Sequence, residues 1–426
     1  MRGLILIIIT SLVFIGCENA LKVENPNNVL EDDLNNPSSA ASLVNGALAT
    51  VMQGIGYVMT PYETVTDEVY WVGSRDAWRQ LDQGFLSDPN NEFVDAAWPY
   101  ICEGRWMADK AVSMLEEFNK QGTLRNKFYL INAYIIQALV RIAAADMFDD
   151  FVISDKMESK PPLGEQNMYQ LYDQAIEILN KAEALAVAQP SGTTRDEALR
   201  RIYALRARAR HAKAVWFKIR PKGSTPPSNP YVDDLNAKAD AEAALSLMSG
   251  DYKWKFDYLS SQTFNSLAWE IVGRSELRLE RLPLDPVTGT TDARMKADST
   301  DFVNRTKYQD RYSPITVTSR REMHLIIAEY YLATGDIVSA RAELNKIRAL
   351  DGLSPYTDSH DIHRALRHER RANLYLQGRR LADMYRFGIK DSRWLTNSDA
   401  YTTVGYFLVV PIRERRANQY YPESRR

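Results

Sequence analysis

The sequence predicts an all-α protein, built as an irregular stack of helix pairs with long loop inserts. Two observations predict this fold class. Apolar residues recur at steps of three and four through several long segments, which is typical of helices that bury one face. These segments also occur in adjacent pairs, and a helical face repeated along a chain is buried most readily against the next pair. With 426 residues and 45% hydrophobic content, the chain can bury a large core.

The first helix pair is predicted at Leu124–Phe148 and Met168–Ala188. The apolar stripe of the first segment consists of Phe128, Ile131, Ile135, Ala138 and Ile142. Small alanines beside this stripe permit close helix packing. The second segment keeps the same stepping, so the two helices are predicted to pack on each other.

Two further helix pairs follow along the chain. They are predicted at Leu199–Ile219 with Asn236–Met248 and at Arg321–Thr334 with Ile337–Leu350. In the last pair, Gly335 suits a left-handed helix end and Asp336 suits an N-cap, which predicts a tight turn. Pairs of this length resemble tetratricopeptide repeats. A bundle of unrelated amphipathic helices is the alternative.

The N-terminus contains a basic residue, a short apolar run and a Cys. Leu4–Ile15 is too short to span a bilayer, for which about 20 residues are needed, and Cys17 follows it closely. This pattern is typical of a bacterial lipoprotein signal, so we expect residues 1–16 to be removed and Cys17 to be acylated. An ordinary secretory signal with a chance Cys is the alternative. No later segment is predicted to be apolar enough to span a membrane.

The rest of the chain is predicted to have two parts. Residues 17–40 are rich in Asn, Asp, Pro and Ser and are predicted to form a lipid-anchored tether. Residues 41–426 are predicted to form a single helical domain. Within it, Pro221–Pro230 and Leu282–Thr300 carry Pro and Gly that break helical periodicity and indicate surface loops.

The composition argues against several functions. The formal net charge of −2 gives no attraction to nucleic acid. Only two Cys occur, so acylation of Cys17 leaves Cys102 without a disulfide partner. The sequence contains no His-Glu-x-x-His, Gly-x-Ser-x-Gly, phosphate-binding Gly-rich loop or Cys-x-x-Cys. We therefore predict no catalytic residue, no metal site and no cofactor.

Several motifs resemble the SusD/RagB family of nutrient-binding outer-membrane lipoproteins. The resemblance starts with Cys17-Glu18 and an Asn25-Pro26 element, and the repeat helices follow it. The most specific part is Gly378–Gly388, which is similar to a family signature Gly-x-Arg-x-x-Asp-Leu-x-Arg-aromatic-Gly. Val409–Asn418 is similar to the closing Pro-Ile-Pro-x-x-Glu-x-x-Ala-Asn segment, with Val409 in place of the first Pro.

The charged segment near the C-terminus is interpreted as structural. On one helix, Arg379 and Arg380 lie four and three positions before Asp383, so both arginines are predicted to be able to pair with it. Glu369 and Asp383 are fourteen positions apart on what is predicted to be one helix, which argues against a catalytic pair.

The resemblance implies a function at the outer surface of the outer membrane. The protein is expected to bind a nutrient, most simply an oligosaccharide, and to pass it to a TonB-dependent SusC-like transporter. The expected partners are that transporter, the glycan or other nutrient, and membrane lipid through acylated Cys17, but not nucleic acid. A helical-repeat scaffold for envelope assembly is the alternative, and a glycoside hydrolase is a third hypothesis.

Candidate ligand contacts come from an aromatic segment between residues 57 and 106. Aromatic faces can pack on the apolar faces of sugar rings, while neighbouring polar groups bind hydroxyls. A mixture of this kind is formed by Tyr70, Trp71, Arg75, Asp76 and Trp78. The alternative for these aromatics is a place in the core, which is where the resemblance puts Trp98.

Overall fold

The computed structural model describes residues 34–155, 158–258, 263–280, 284–292, 294 and 311–422. The predicted signal peptide, Cys17 and most of the predicted tether lie outside these residues. Over the described residues the chain forms 14 α-helices and four short strands, which confirms the all-α prediction.

The secondary structure elements are defined here in chain order. The helices are α1 (Ala40–Thr64), α2 (Asp76–Asp82), α3 (Glu92–Lys120), α4 (Phe128–Met147), α5 (Tyr169–Val187), α6 (Thr193–Ile219), α7 (Leu235–Leu247), α8 (Ser266–Ala268), α9 (Arg320–Ala333), α10 (Ile337–Leu350), α11 (Ile362–Asn373), α12 (Arg380–Arg386), α13 (Asp399–Thr402) and α14 (Ile412–Ala417). The strands are β1 (Val69–Trp71), β2 (Lys253–Phe256), β3 (Leu277–Leu279) and β4 (Ile315–Ser319).

The three predicted helix pairs are present, because α4 packs on α5, α6 on α7 and α9 on α10. Helix α10 has the predicted bounds, and the turn before it has the predicted chemistry. Gly335 has a φ of +85°, and the Asp336 carboxylate accepts a hydrogen bond from Ser339 N at 2.9 Å. Helix α6 begins six residues earlier than predicted, because a polar first turn precedes its apolar stripe.

Helix α4 is the central helix of the core. The prediction that no segment after the signal could span a membrane is wrong by length and composition, because Phe128–Met147 has a mean hydropathy of 1.5. However, 83% of this apolar window is buried against α3, α5, α1 and α6. A helix surrounded by protein is apolar on all sides, and the periodicity of one predicted face underestimates this.

Two small antiparallel sheets join distant parts of the chain. Strand β1 pairs with β3, with Trp71 opposite Leu277, and β2 pairs with β4, with Phe256 opposite Ile315. The β1–β3 pair connects the segment after α1 with the segment after α8. It therefore holds together two regions that are about 200 residues apart in sequence.

The charged C-terminal segment forms a buried ion network, but the predicted local pairs are wrong. Arg380 binds Asp67 through two hydrogen bonds of 2.6 and 2.7 Å, and Arg379 binds Asp146 at 2.5 Å. Asp383 instead accepts hydrogen bonds from Arg370 at 2.8 Å and Arg386 at 2.9 Å. The segment is two helices, α11 and α12, so the expectation of one continuous helix is also wrong.

The end of α1 holds the turn between α11 and α12 in place. Glu68 Oε2 accepts a hydrogen bond from Leu376 N at 2.8 Å, and Glu63 Oε1 accepts one from Gly378 N at 2.6 Å. Leu376 has a φ of +54°, which is unfavourable for a residue with a β-carbon. Burial raises the pKa of Glu63 to about 7, although the Gly378 N–H and the Arg379 guanidinium oppose this shift.

Replacement of Glu63 by Gln should therefore change how stability depends on pH. When folding raises the pKa of a carboxyl, the protein loses stability as the pH rises from the pKa of the unfolded state toward the pKa of the folded state. Glu63→Gln should remove this loss, so its stability relative to the parent should improve by on the order of 1 kcal/mol between pH 5 and pH 8. Urea unfolding at several pH values measures this.

The matched control is Glu177→Gln, which changes an exposed carboxylate on α5. Its stability relative to the parent should be the same at both pH values. An advantage of Glu63→Gln that does not grow with pH would contradict the assignment.

Candidate functional site

The candidate site is a surface cleft of about 330 Å³ beside the C-terminal half of α1. Its volume lies in the range of small-molecule binding pockets. Four parts of the chain contribute to it: α1, the loop leading into α2, the first turns of α3 and the segment around α8. The lining residues are Tyr57, Thr60, Pro61, Arg75, Trp78, Glu92, Phe93, Ala96, Phe264, Ser266, Trp269, Glu270 and Arg274.

Aromatic rings form most of the apolar surface of this cleft. On one side Trp78 stacks on Phe93, with ring centroids 3.4 Å apart. On the other side Phe264 lies edge-on to Tyr57 at 5.9 Å and to Trp269 at 6.5 Å. Trp78 is 2% exposed and serves mainly as support, whereas Phe264 and Trp269 remain partly exposed. Phe264 and Trp269 therefore form an accessible platform in the cleft, beside the partly exposed rings of Tyr57 and Phe93.

A turn of π-helix after α8 presents Trp269. The side chain of Asn265 caps α8 by accepting a hydrogen bond from Ala268 N at 3.1 Å. The π turn spans Trp269–Gly273 and closes with Arg274 N donating to the carbonyl oxygen of Trp269 at 2.9 Å. Single π turns often occur at functional sites, because they redirect the side chains that follow.

Gly273 leaves the space that the Trp269 ring occupies. A β-carbon at position 273 would lie 2.1 Å from Cε3 of that ring, far inside van der Waals contact. The orientation of the main aromatic platform thus depends on a residue without a side chain.

The loop that carries Arg75 is held by a carboxylate from across the β1–β3 sheet. Glu276 Oε2 accepts hydrogen bonds from Ser74 N at 3.0 Å and Arg75 N at 3.1 Å. Desolvation would raise the pKa of Glu276, but these backbone N–H groups and the Ser74 hydroxyl lower it overall. Glu276 is therefore a positioning residue that remains ionised and fixes the loop.

The charged groups of the cleft are only partly matched. The Arg75 guanidinium lies 3.0 Å from a Glu92 carboxylate oxygen and 4.4 Å from the Phe93 centroid. Glu270 is buried at the base, and this burial raises the pKa of its carboxyl, although Arg274 and Arg75 oppose the shift. The nearest approach of Arg274 Nε to Glu270 Oε1 is 3.8 Å, which is longer than a hydrogen bond.

Two of the five predicted contact residues line the cleft and three do not. Arg75 and Trp78 line the cleft. Tyr70 and Trp71 lie in β1 outside the lining, where Arg393 covers the Tyr70 ring at 5.6 Å. Asp76 is exposed and pairs with Arg79 at 2.6 Å.

Sequence reasoning missed the other half of the cleft, namely Phe264, Trp269, Glu270 and Arg274. The available signal was compositional, because residues 264–274 combine aromatic and charged side chains in a segment without long helical periodicity. The aromatic segment between residues 57 and 106 has the same mixture.

One group of potential metal ligands lies elsewhere in the described residues. Ligand atoms of Asp285, Asp292 and His368 lie within 4.8 Å of one another. However, Arg294 binds Asp292 at 2.7 Å and Arg348 binds Asp285 at 3.0 Å. Two fixed guanidiniums would repel a cation, so this group is better explained as part of the ion network.

Cys102 has the environment of a structural thiol. It is a half-buried free cysteine on α3. Burial raises the pKa of the thiol, and the charge of Glu414 raises it further. A thiol that stays protonated is a poor nucleophile.

The helix-pair stack and its aromatic cleft define the structural class of this chain as a helical-repeat protein with a ligand-sized cleft. Residues 302–422 match the SusD family. Comparison with curated proteins gives no match. The match over residues 302–422 and the shared fold confirm the resemblance to the SusD family that the sequence indicates.

Solved structures with this fold come from several Bacteroides species. A SusD superfamily protein from Bacteroides fragilis has a TM-score of 0.64 and 14% identity, covering 91% of this chain and 99% of that one. A SusD homolog from Bacteroides thetaiotaomicron has a TM-score of 0.61 and 13% identity, covering 92% and 98%. A SusD-like carbohydrate binding protein from Bacteroides vulgatus has a TM-score of 0.60 and 12% identity, covering 90% and 97%.

The role of Gly273 can be tested by its replacement with Ala. We expect the new methyl group to displace the Trp269 ring from the cleft wall, because the two cannot occupy the same space. A crystal structure of the variant measures this displacement. Gly223→Ala is the matched control, because a β-carbon there meets no atom within 4 Å. An undisturbed Trp269 ring in the Gly273→Ala structure would refute the role assigned to Gly273.

Proposed function

We propose that the protein binds an oligosaccharide in the aromatic cleft at the cell surface and passes it to a TonB-dependent SusC-like transporter in the outer membrane. The observation that carries the proposal is the partly exposed pair Phe264 and Trp269 beside charged side chains at the rim. Aromatic faces bind the apolar faces of sugar rings, and rim groups exchange hydrogen bonds with hydroxyls.

The comparisons support the same ligand class. One relative of this fold is described as a SusD-like carbohydrate binding protein and another as a putative sugar binding protein, both from Bacteroides vulgatus. The lipoprotein signal pattern ending at Cys17 supports attachment to the outer membrane. A tether of the predicted length would let the folded domain swing between capture and release.

We propose binding without bond chemistry. Among the residues that line the cleft, Glu92 and Glu270 are the carboxylates, and Glu92 is engaged with Arg75 at 3.0 Å. A glycosidase needs one carboxyl as acid and a second as nucleophile or base. With one carboxylate in an ion pair, the cleft is better suited to hold a glycan than to cleave it.

Replacement of Trp269 by Ala should weaken glycan binding by about tenfold or more, because it removes a partly exposed indole ring on which a sugar would stack. The measurement is a screen of purified protein against plant, algal and host polysaccharides, followed by calorimetry on the glycans that bind. Trp106→Ala is the matched control, since this half-buried Trp on α3 lies outside the cleft lining. Equal affinities for the parent and Trp269→Ala would remove the cleft from the proposal.

Replacement of Cys17 by Ser should release the protein from the membrane fraction, because acyl chains supply the proposed anchor. Cys102→Ser is the matched control and should remain membrane-bound.

Affinity capture of the parent from detergent-treated outer membranes should recover a large TonB-dependent barrel in comparable amounts. Retention of Cys17→Ser, or recovery of envelope assembly proteins without a barrel, would favour the scaffold alternative.

A further inference from the structure

Two arginines, Arg274 and Arg311, lie beside the partly exposed rings of Trp269 and Phe264. Arg311 lies outside the lining but covers the Trp269 ring at 5.4 Å and the Phe264 ring at 6.0 Å. Arg274 follows directly after the π turn that carries Trp269, and 45% of its side chain is exposed. The two arginines therefore flank the platform on which a ligand would stack.

Among the described residues, neither arginine has a carboxylate oxygen within hydrogen-bonding distance. Arg311 donates through Nε to the Tyr312 hydroxyl at 2.9 Å, and no carboxylate of the described residues pairs with it. Within the part of the chain that the structure describes, the carboxylate paired with Arg274 is that of Glu270, at 3.8 Å. The third arginine, Arg75, differs from both because Glu92 matches its charge at 3.0 Å.

A guanidinium that lies beside an aromatic ring is well suited to bind an anion. The Arg311 guanidinium lies within 6.0 Å of the Trp269 and Phe264 ring centroids, and an arginine beside aromatic rings can still use its N–H groups to bind an anion. Planar guanidinium edges match the two oxygens of a carboxylate or a sulfate, and such charge-assisted hydrogen bonds are stronger than those to a hydroxyl. A neutral sugar would leave this positive charge unmatched.

We infer that the cleft selects an acidic oligosaccharide, whose sugar ring packs on Trp269 and Phe264 while its anionic group binds Arg274 and Arg311. This inference rests on the proposed function and specifies its ligand. The anionic group is a carboxylate of a uronic acid or a sulfate ester, which share the chemistry that the two arginines recognise.

The test compares each acidic glycan with its own neutralised form. The probes are oligosaccharides of polygalacturonate, alginate and hyaluronan with their carboxyl-reduced counterparts, and chondroitin sulfate with its desulfated counterpart. Neutral amylose, xylan and mannan complete the set. At least one acidic probe should bind, and its neutralised form should bind about tenfold or more weakly.

Arg274→Gln and Arg311→Gln should each reduce this preference, and raising the salt concentration should do the same in the parent. Arg125→Gln is the matched control, because Arg125 is exposed beyond the far end of α3. Helix α3 has 29 residues and is about 43 Å long, so this charge is remote from the cleft. The control should keep the full preference.

The outcomes separate this inference from the proposed function. Binding of neutral glycans alone, or equal binding of acidic and neutralised forms, would overturn the inference and leave glycan binding intact. A preference that survives in both arginine variants would also overturn it. Failure of every glycan to bind would overturn the proposed function itself, and the inference with it.

Discussion

The arrangement of this molecule depends on buried ion pairs between the end of α1 and the helices α11 and α12. Asp67 is bound by Arg380 through two hydrogen bonds and lies 3.3 Å from Arg371. On either side of it in the sequence, the carboxylates of Glu63 and Glu68 bind backbone N–H groups of the α11–α12 turn. The same helix α1 carries Tyr57, Thr60 and Pro61 into the cleft. One wall of the cleft is therefore fixed by charged residues at the end of α1 and in the segment that follows it.

This network specifies the fold more than it adds to its stability. Transfer of charges from water into a protein costs several kcal/mol per ion, and ion pairing offsets this cost without greatly exceeding it. Loss of one partner leaves a buried charge unmatched and costs roughly 3–5 kcal/mol. Competing arrangements of the same helices would leave Glu329, which is bound by Arg386, Arg370 and His211, without its partners. The buried charges thus favour one packing over its alternatives.

The helices could be predicted from the sequence because their signals are local. Stepping of apolar residues and the Gly335-Asp336 turn depend on neighbours within a few positions, and α10 has the predicted bounds. The partners of Arg379 and Arg380 could not be predicted in the same way. Local spacing placed Asp383 within reach, but Asp146 and Asp67, which are more than 230 positions away, are the partners in the fold. Burial decides between them, and burial is a property of the whole packing.

Only part of the candidate site could be predicted, again because local composition can be seen in the sequence and distant packing cannot. Arg75 and Trp78 lie in one segment whose composition indicated a site, whereas Trp269 reaches the cleft through the pairing of β1 with β3 and the packing of α8 on α1. Strands of three residues carry almost no periodic signal. The residues that hold the fold together are different from those proposed to contact the ligand. The residues of the ion network do not line the cleft, while Trp269, Arg274 and Arg311 lie in and beside short irregular segments. Changes in those segments can alter which glycan is bound without disturbing the network, so ligand preference has to be argued from the cleft of each chain.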